Sequence, residues 1–557
     1  MIDRMRRLAK LSLWFCVAFL AWRCSENFEG TREQLTLTEI KLALATAYAT
    51  TDLIKSIDST SGSYLVSFEQ QAPIDIPERM VEEVIIDSAR WLATFVFKDQ
   101  SQQPTNFIGE LKIGHDDVSV NPYLTCPLTA LATFTTPVEG RFRIIVKGKD
   151  PSGISIAKEF HQVSNKHRLP ILGLYEDHMN EVEFAFLDAL GNLRCSKTML
   201  LRTGPLQNKP QLEIEVLQNS LPADYGGLYV VSNICAGFDQ ATELRWIYSS
   251  ERGGFFGKLR NGNFAVADFD QTKFYEVTVL GQLVRTYVVP NRLHHEIYEM
   301  PNGNFLAATY SPPGPPLEDR LVEISRESGT VVKEWDLNTI LDPSRVTLPD
   351  CQPSDWLHIN AAYYDENDNS IVISGRSQCV VVKFDYQTGA IRWILANPNG
   401  WGPSFTPYLL KPVDLKGNSI DVASTDFWSY GQHSIHRTPD GNLLMYDNGD
   451  YRGFYDTPLA PRESYSRIVE YKINEQDMTV ELVWEFNNNK AVFTRFTGST
   501  QFLNETRLAG YASMSENTPR VAEVTKDNDV VYEATINRGK ASYYRIQKVD
   551  IYAGVGE

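Results

Sequence analysis

The chain has 557 residues, of which 43% are hydrophobic and 11% aromatic, so it has enough apolar surface to build cores and is not a disordered acidic segment. Its 53 Lys and Arg against 70 Asp and Glu give a net charge of −17, which argues against nucleic-acid binding, since that needs cations to neutralise phosphates. Beyond the N-terminus no apolar run reaches the roughly 18 residues of a membrane-spanning helix, which excludes a multi-span membrane protein.

Residues 1–24 predict an export signal, because a group of arginines and a lysine precedes the apolar stretch 11–21. Cys24 lies where a lipidated cysteine would follow signal cleavage, although Trp22 and Arg23 are atypical of such a site. A lipoprotein and a plain cleaved signal therefore remain equal alternatives. Either way we expect an exported protein of the periplasm or cell envelope, anchored to the membrane only if Cys24 is lipidated.

The cysteines after Cys24 do not predict a disulfide framework or a zinc site, because their number is odd and no C-x-x-C spacing occurs. We expect each of them to be a small buried residue. They are Cys126, Cys195, Cys235, Cys351 and Cys379.

Two segments precede the most informative part of the chain. Residues 25–107 form an N-terminal segment in which TEIKLALATAYATTDLIKSI, at 38–57, has helical periodicity and is the one convincing helix. Residues 108–215 consist of short runs rich in β-branched and aromatic residues, broken by Gly, Asp, Asn and Pro. That pattern predicts a compact β-sandwich domain.

From residue 216 to 557 a unit recurs in which a polar turn precedes an apolar strand, followed by a strand, a turn and another strand. An acidic residue recurs at one place in the strand that directly follows the apolar strand. Strand–turn–strand units of about 40 residues, with insertions between later copies, predict a six-bladed β-propeller in an all-β protein. The turn-and-strand cores lie at 226–233, 261–269, 302–310, 367–375, 440–448 and 504–512, and the acidic residues are Glu276, Glu323, Asp385, Glu470 and Glu523.

Three histidines occupy related places in different copies of this unit. His295 and His433 each lie six residues before the proline of the following turn, and His358 precedes its turn by a slightly longer stretch. Since equivalent positions in propeller blades converge on the central axis, we expect these imidazoles to face one another. His294 and His436, at odd separations along their strands, are expected to point to the opposite face.

Three convergent imidazoles permit several kinds of site. They could ligate zinc or copper, they could supply acid–base and nucleophilic groups, or they could be coincidental in a binding channel. Arg376 follows the strand after His358, and a cation there disfavours a metal ion while its guanidinium suits an oxyanion. The sequence therefore predicts an anionic substrate, with no metal and no cofactor.

Several long motifs in fixed order resemble the bacterial aryl-sulfate sulfotransferase family. They are DWLHIN, ISGR, VVKFDYQTGAIRWILANPNGW, GQHSIHRTPDGNLLMYDNG, SRIVEYKI and VELVWEF. NPYLTCPLTALATF and LPILGLYEDHMNEV, at 121–134 and 169–182, resemble that family's N-terminal domain. The resemblance covers about residues 110–557.

This resemblance implies a six-bladed propeller behind an N-terminal β-sandwich, working outside the cytoplasm. It also implies transfer of a sulfuryl group from a phenolic sulfate ester to an acceptor phenol, by double displacement through a sulfohistidine and without the nucleotide donor PAPS. The implied partners are a small aryl sulfate and a phenol. Whether the chain forms a homodimer is left open.

The family's functional residues transfer to individual positions of this chain. The resemblance implies a nucleophilic histidine, residues that hold the sulfuryl oxygens, a general acid/base and a threonine from the last blade. Some members also have a disulfide near the site, for which no cysteine pair close in this sequence is available. The matching positions are His433 as nucleophile, His358, Arg376 and Asn360 at the sulfuryl oxygens, His295 with His294 as its alternative for acid/base work, and Thr500.

Two readings from other classes stay open at this point. One is a metal- or quinone-dependent propeller oxidoreductase, and the other is a non-catalytic binding propeller of the cell surface. Neither a nucleophile elbow with a Ser/His/Asp order nor a Gly-rich phosphate loop occurs in the sequence, which argues against hydrolase and kinase functions.

Overall fold

The structure is a computed structural model that describes most of the chain from residue 35 onward. The described residues are 35–555 without 51–53, 61, 69–70, 88–91, 107–110, 225, 250–253, 312–316, 422–425, 457–462, 513–518 and 538–542. The predicted export signal and Cys24 lie outside them. Within them, no helix has the length and apolarity needed to cross a membrane.

The first unit combines one helix, α1, with two three-stranded antiparallel sheets. A capping box starts the helix, because Thr36 Oγ1 accepts from the Glu39 N–H (3.3 Å) and the Glu39 carboxylate accepts from the Thr36 N–H (2.8 Å). Ile40 and Phe95 belong to a buried cluster that draws only on residues of this unit. The elements are α1 Leu37–Thr50, β1 Ile54–Thr60, β2 Ser63–Phe68, β3 Ile74–Pro77, β4 Val81–Asp87, β5 Leu92–Phe97 and β6 Gln102–Asn106.

The predicted helix is present but shorter than its pattern. It ends at Thr50, and the last residues of the helical pattern belong to β1 instead. The reason is tertiary: Ile57 pairs with Val66 of β2, and Ile54 is buried in the same cluster as the helix. Sheet pairing outweighs the weak helical preference of this segment.

The predicted sandwich region forms a five-stranded antiparallel arrangement around one long hairpin. Its two central strands have 18 and 17 residues, and their register shifts between Thr135 and Gly140. The short first strand pairs with the start of the long strand before the bulge, and the fourth strand pairs with its last residues after the bulge, near the tip of the hairpin. The strands are β7 Val118–Val120, β8 Thr129–Val146, β9 Ile156–Leu172, β10 Met179–Leu187 and β11 Leu193–Arg202.

From residue 213 onward the chain forms six antiparallel blade sheets of four or five strands, with one parallel strand, β28, added to the fifth. The first sheet contains β13 Leu228–Val231, β14 Ala236–Phe238 and β15 Leu244–Ile247. The second contains β16 Phe255–Lys258, β17 Phe264–Ala267, β18 Lys273–Val277 and β19 Leu283–Val288. The third contains β20 Leu293–Glu299, β21 Phe305–Thr309, β22 Arg320–Ile324 and β23 Val331–Asp336. The fourth and fifth contain β24 Ile359–Asp365, β25 Ser370–Gly375, β26 Val380–Asp385 and β27 Ile391–Leu395; and β28 Lys411–Val413, β29 His433–Arg437, β30 Leu443–Asp447, β31 Arg467–Asn474 and β32 Thr479–Phe486. The sixth contains β33 Ser499–Leu503, β34 Thr506–Tyr511, β35 Arg520–Thr525 and β36 Val530–Asn537.

Two distant strands close this set of sheets into a ring. β12 (Glu213–Asn219) adds to the outer edge of the sixth sheet, and β37 (Ile546–Val549) becomes the inner strand of the first. The inner strands contact one another in turn from β16 through β20, β24, β29 and β33 to β37, and β16 also contacts the Ser232–Ile234 turn of the first sheet, which completes the circle. The predicted all-β propeller class is thereby confirmed.

Each predicted turn-and-strand core is the second strand of its sheet, counted from the axis. The recurring acidic residue explains why the turn recurs with it. Glu276 accepts from the side-chain amides of Asn261 (2.8 Å) and Asn263 (2.6 Å) of its own turn, and from Arg326 (2.6 Å) of the next sheet. Glu323, Glu470 and Glu523 likewise bond their own turn and a Tyr or Arg of the next sheet.

The sandwich region packs against the first two blade sheets through one continuous buried cluster, which includes Phe142, Trp246 and Phe264. Arg245 of β15 is fully buried at this junction and donates to the carbonyl oxygens of Ile154 and Gly173, each at 2.8 Å. The ring is therefore held on one side by the domain that precedes it.

Candidate active site

The inner strands of three neighbouring blades begin with unusual backbone geometry. The φ angle is +59° at His295, +57° at His358 and +53° at Ser434, which is uncommon for residues other than glycine. The pairing register shifts at the same places in β20, β24 and β29. Such strain concentrates at functional sites, and here it turns histidine side chains toward the axis.

The shared backbone distortion gathers the histidines into one group. The ring centroids of His294 and His295 lie 3.8 Å apart, and those of His295 and His358 lie 5.1 Å apart. Tyr544 stacks on His295 at 4.6 Å with an interplanar angle of 4°, and meets His433 edge-on at 6.2 Å. The predicted convergence of His295, His358 and His433 is therefore present in the structure.

The expectation that His294 points away from this group is wrong. Its ring lies 4.7 Å from that of His358, because the positive φ at His295 breaks the alternation of side chains along β20. Its Nδ1 lies 3.0 Å from the carbonyl oxygen of Ile359, and its Nε2 lies 2.9 Å from Oε2 of Glu318. Both ring nitrogens are therefore engaged by the protein, which leaves His294 as a support.

His358 is surrounded by carboxylates. Its Nδ1 lies 2.6 Å from Oε2 of Glu318 and 2.9 Å from both carboxylate oxygens of Asp355. Burial opposes protonation, but the two carboxylates outweigh it and raise the pKa of His358 to about 9. Since Nε2 has no hydrogen bond to any described residue, His358 presents one free N–H as an imidazolium.

His433 has the opposite character. Its Nδ1 lies 2.8 Å from Oδ1 of Asn448 and 3.0 Å from the carbonyl oxygen of Gly431, while its Nε2 accepts from the N–H of Thr497 at 3.3 Å. Burial, reinforced by the positive charge of Arg376, lowers the pKa of His433 to about 3. The ring is therefore neutral at ordinary pH.

His295 is neutral as well. Burial and then the neighbouring His294 and His358 hold its pKa well below 6.5. Its ring nitrogens form no hydrogen bond within the described part of the chain. Arg545 donates to its carbonyl oxygen at 3.1 Å and so helps to hold the distorted backbone.

Arg376 lies close enough to influence His433, but its guanidinium is already paired. Its Nη2 donates to Asp350 (2.9 Å) and to Asp450 (3.0 Å). Arg495 approaches the same two carboxylates at 3.5 and 3.4 Å. The result is a balanced cluster of two arginines and two acids beside the nucleophile candidate.

Asn360 and Thr500 contact the residues that flank His433 rather than its ring. The fully buried Asn360 donates its side-chain N–H to the carbonyl oxygen of Gln432 at 2.7 Å. The Thr500 N–H donates to Oγ of Ser434 at 3.1 Å. The threonine that reaches His433 itself is Thr497, and the assignments of Asn360 and Thr500 to the sulfuryl group stay predictions.

The cluster also contains the residue types that bind metals. The ligand atoms of His294, His295 and His358 lie within 4.8 Å of one another, as do those of Glu318, Asp355 and His358. Both nitrogens of His294 and Nδ1 of His358 already lie within 3.0 Å of protein oxygens, so an ion would have to displace these contacts.

The five cysteines of the described residues are free, and three of them are buried, as predicted. Cys351 and Cys195 are half-buried instead. Cys351 belongs to the neighbourhood of the site, because its Sγ lies 3.2 Å from Nη1 of Arg376.

Comparison with known families covers both domains of this architecture. The arylsulfotransferase (ASST) family model matches residues 213–545, and the arylsulfotransferase Ig-like domain matches residues 117–204. The chain therefore belongs to the arylsulfotransferase family, and it is an enzyme of the class that transfers sulfuryl groups from aryl sulfates without PAPS.

Two curated relatives carry the name arylsulfate sulfotransferase AssT. The one from Lelliottia amnigena is 25% identical, over 70% of this chain and 82% of that protein. The one from Escherichia coli O6:H1 is 26% identical, over 67% and 80% respectively. Among solved structures, the β-propeller domain of Cps50 (Swd1) from Myceliophteria thermophila shares 10% identity, with a TM-score of 0.32, over 60% of this chain and 92% of that one.

Proposed function

We propose that this enzyme moves the sulfuryl group in two displacements, with His433 as the group that carries it. The observation that carries the proposal is the opposite surroundings of two histidines: carboxylates face His358, whereas a neutral amide, a carbonyl and a backbone N–H face His433. The pKa of His433 lies at about 3 and that of His358 at about 9. One site thus contains a neutral nucleophile and a charged acid at the same pH, the separation expected of paired catalytic groups.

In the first displacement the Nε2 lone pair of His433 attacks sulfur. An N–S bond forms, the S–O bond to the aryl group breaks, and the imidazolium of His358 gives its Nε2 proton to the departing phenolate. A phenol has a pKa of about 10. The pKa of His358, about 9, is close to that value, so the proton transfer is nearly balanced in both directions.

The second displacement reverses these events with a different phenol. Neutral His358 removes the proton of the acceptor hydroxyl, and the phenol oxygen attacks sulfur. The S–O bond forms as the S–N bond to His433 breaks, which restores both histidines. No oxidant, reductant or further reactant is needed.

The protonation states favour His358 over His295 as the general acid. The N–H of a neutral His295 is far too weak an acid to protonate a leaving phenolate, whereas it can donate a hydrogen bond to a phenol oxygen. Its stacked partner Tyr544 offers an aromatic wall against which an aryl ring can pack. We therefore place His295 and Tyr544 on the phenol side of the site.

Arg376 fits this scheme mainly through its charge. Its Nη2 is committed to Asp350 and Asp450, so the guanidinium favours the anionic donor and the neutral state of His433 from a fixed position. Asn360 contributes by anchoring the backbone at Gln432, next to the nucleophile.

The direct test is to mix the purified enzyme with 4-nitrophenyl sulfate and no acceptor. The expected result is a burst of one nitrophenol per active site and one SO₃ group on the peptide containing His433, removed when a phenol is added. His433→Ala should lose the burst and the label. Phenol-dependent transfer by His433→Ala at the normal rate, or a label on another residue, would overturn the assignment.

His436→Asn provides the matched control. His436 lies in the same strand as His433, but its ring contacts Ser434 rather than the reacting groups. It should keep the burst and the label.

We also propose that residues 1–24 export the chain and that Cys24 anchors it. Fractionation of cells that express the wild type and Cys24→Ala tests this. Release of only the variant from the membrane fraction supports the anchor, and identical soluble distributions exclude it. Homodimerisation stays a prediction for size measurement in solution.

A further inference from the structure

We infer that Asn448 is a positioning residue that fixes the tautomer of His433, so that Nε2 and not Nδ1 receives the sulfuryl group. The inference deepens the proposed function and rests on it for its chemical meaning. It stands on the hydrogen bonds around one fully buried amide, which sequence analysis does not single out.

The orientation of the Asn448 amide is determined by two carbonyl groups. Its Nδ2 donates to the carbonyl oxygens of Thr494 and Thr497, each at 2.8 Å. An amide nitrogen has two N–H donors, and these contacts use both. The reversed amide would place its oxygen against two carbonyl oxygens, so Oδ1 must face His433.

The ring of His433 must adapt to that fixed oxygen. Its Nδ1 lies 2.8 Å from Oδ1 of Asn448 and 3.0 Å from the carbonyl oxygen of Gly431, and neither neighbour can donate a hydrogen. Only a protonated Nδ1 fits between two acceptors. In a neutral imidazole the lone pair is then on Nε2.

The opposite edge of the ring supports the same conclusion independently. The backbone N–H of Thr497 points to Nε2 at 3.3 Å, a contact that suits a lone pair and would be repulsive toward a second N–H. When Nε2 bonds to sulfur, this N–H loses its acceptor and lies beside the incoming sulfuryl oxygens. The segment from Thr494 to Thr497 thus holds the amide with two carbonyls and faces the reacting nitrogen with one N–H.

The hydrogen bond from His433 to Asn448 should stabilise the enzyme most while the sulfuryl group is on the ring. Attack by Nε2 leaves the imidazole with a positive charge and a proton still on Nδ1. A hydrogen bond to a charged donor is stronger than one to a neutral donor, so Oδ1 of Asn448 stabilises the intermediate more than the free enzyme. Asn448 itself touches neither substrate nor the reacting nitrogen.

The test measures the tautomer and the first chemical step separately. Nitrogen NMR of the wild type should show His433 with a proton on Nδ1 and none on Nε2. Asn448→Leu should mix the two tautomers and slow the nitrophenol burst by about 10-fold to 100-fold, the range seen when a supporting hydrogen bond to a functional histidine is removed.

Asn397→Leu is the matched control, because Asn397 is another buried asparagine whose amide donates to a carboxylate, that of Asp456 (3.1 Å), rather than facing a histidine. It should lose stability but keep both the tautomer and the burst rate.

The inference and the proposed function fail in different ways. A wild-type protein with its proton on Nε2 overturns the inference without any variant. A folded Asn448→Leu that keeps the Nδ1 proton and the burst rate overturns it as well. Absence of the label from His433 in the wild type, with the tautomer as described, overturns the proposed function alone.

Discussion

Oε2 of Glu318 lies 2.6 Å from Nδ1 of His358 and joins two neighbouring blades at the axis of the ring. The same oxygen lies 2.9 Å from Nε2 of His294, so one carboxylate contacts two imidazoles. Despite burial, these contacts hold the pKa of Glu318 far below its usual range, and its negative charge in turn keeps His358 protonated.

Glu318→Gln should slow the first displacement most for donors with basic leaving phenols. The amide keeps the shape but removes the charge, so the pKa of His358 falls and less acid is available to the phenolate. We expect about a 10-fold loss for phenol-like leaving groups and little loss for 4-nitrophenol, which needs little protonation. Burst rates for a series of substituted phenyl sulfates measure the difference.

Glu323→Gln, in the same blade as Glu318, is the control. It also removes a buried carboxylate, but this one bonds its own turn and Tyr386 instead of a histidine of the site. It should lower all rates equally or leave them unchanged. An equal effect of Glu318→Gln on all leaving groups would contradict the role given to His358.

With a phenol-like donor, whose leaving group needs a proton, the burst rate should depend on pH through one descending limb. His358 has a pKa raised to about 9, so it is protonated below that pH and loses its proton above it. His433, with a pKa lowered to about 3, stays neutral over the whole working range. Rates measured between about pH 6 and about pH 10 should therefore be flat and then fall near 9. A limb near the ordinary histidine value of about 6.5 would show that neither shift is present.

Asp450→Asn should tighten binding of the anionic donor. Asp450 pairs with Arg376 at 3.0 Å, and its removal leaves a positive charge without one of its two carboxylates. At an effective dielectric constant of about 20, one unit charge roughly 10 Å away contributes about 1.7 kcal/mol, so KM should fall by about 10-fold to 20-fold. Asp368→Asn is the control. It alters an ion pair with Arg392, elsewhere in the blade of Arg376, and should leave KM unchanged.

Glu276→Ala should lower the free energy of unfolding by about 2–4 kcal/mol, since it removes a buried carboxylate, leaves two turn amides without their acceptor, and leaves Arg326 paired with Glu299 alone of its two carboxylates. Asp385→Ala is the internal comparison. The sequence repeat puts Asp385 in the series of Glu276, but that prediction is wrong, because the strand register puts Lys383 at this place. The Asp385 carboxylate is less buried, and among the described residues it bonds groups of its own sheet. Asp385→Ala should lower the free energy of unfolding by less than Glu276→Ala does. Urea unfolding of the two variants measures the difference, and equal losses would contradict the inter-blade role of Glu276.

The blade repeat could be predicted because its turn, its apolar strand and its acidic residue recur together. Glu276 and Glu323 bond both their own turn and the next sheet, so the blades that share this contact keep the same residues at the same spacing. In the fourth blade Lys383 takes this place and pairs with Asp368 of its own turn and Glu475 of the next sheet. The helix end at Thr50 could not be predicted in this way, because pairing of β1 with β2 decides it.

The site could be predicted only in part. His295, His358 and His433 follow the repeat, whereas Glu318 and Tyr544 lie in connections that have no constant spacing. A usable signal existed for Asn448. It is the first residue after β30, as Arg376 is the first residue after β25, so both occupy the same position in adjacent blades.

The position after β21 belongs to the same series. Its residue, Tyr310, lies 5.2 Å from His294 between ring centroids. Comparing the residue that follows the second strand of each blade would therefore have found several groups of the site. The bulges that turn His294 inward leave no such trace in the sequence, because they depend on backbone angles at His295.

Tyr544 lies two residues before β37, the strand that completes the first sheet from the far end of the chain. During synthesis, Tyr544 is therefore added to the chain after all the histidines of the site. Until that strand is seated, the growing polypeptide contains His433 with one side of its surroundings missing. A chain that ends before residue 544 therefore lacks both the Tyr544 ring and the inner strand of its first blade.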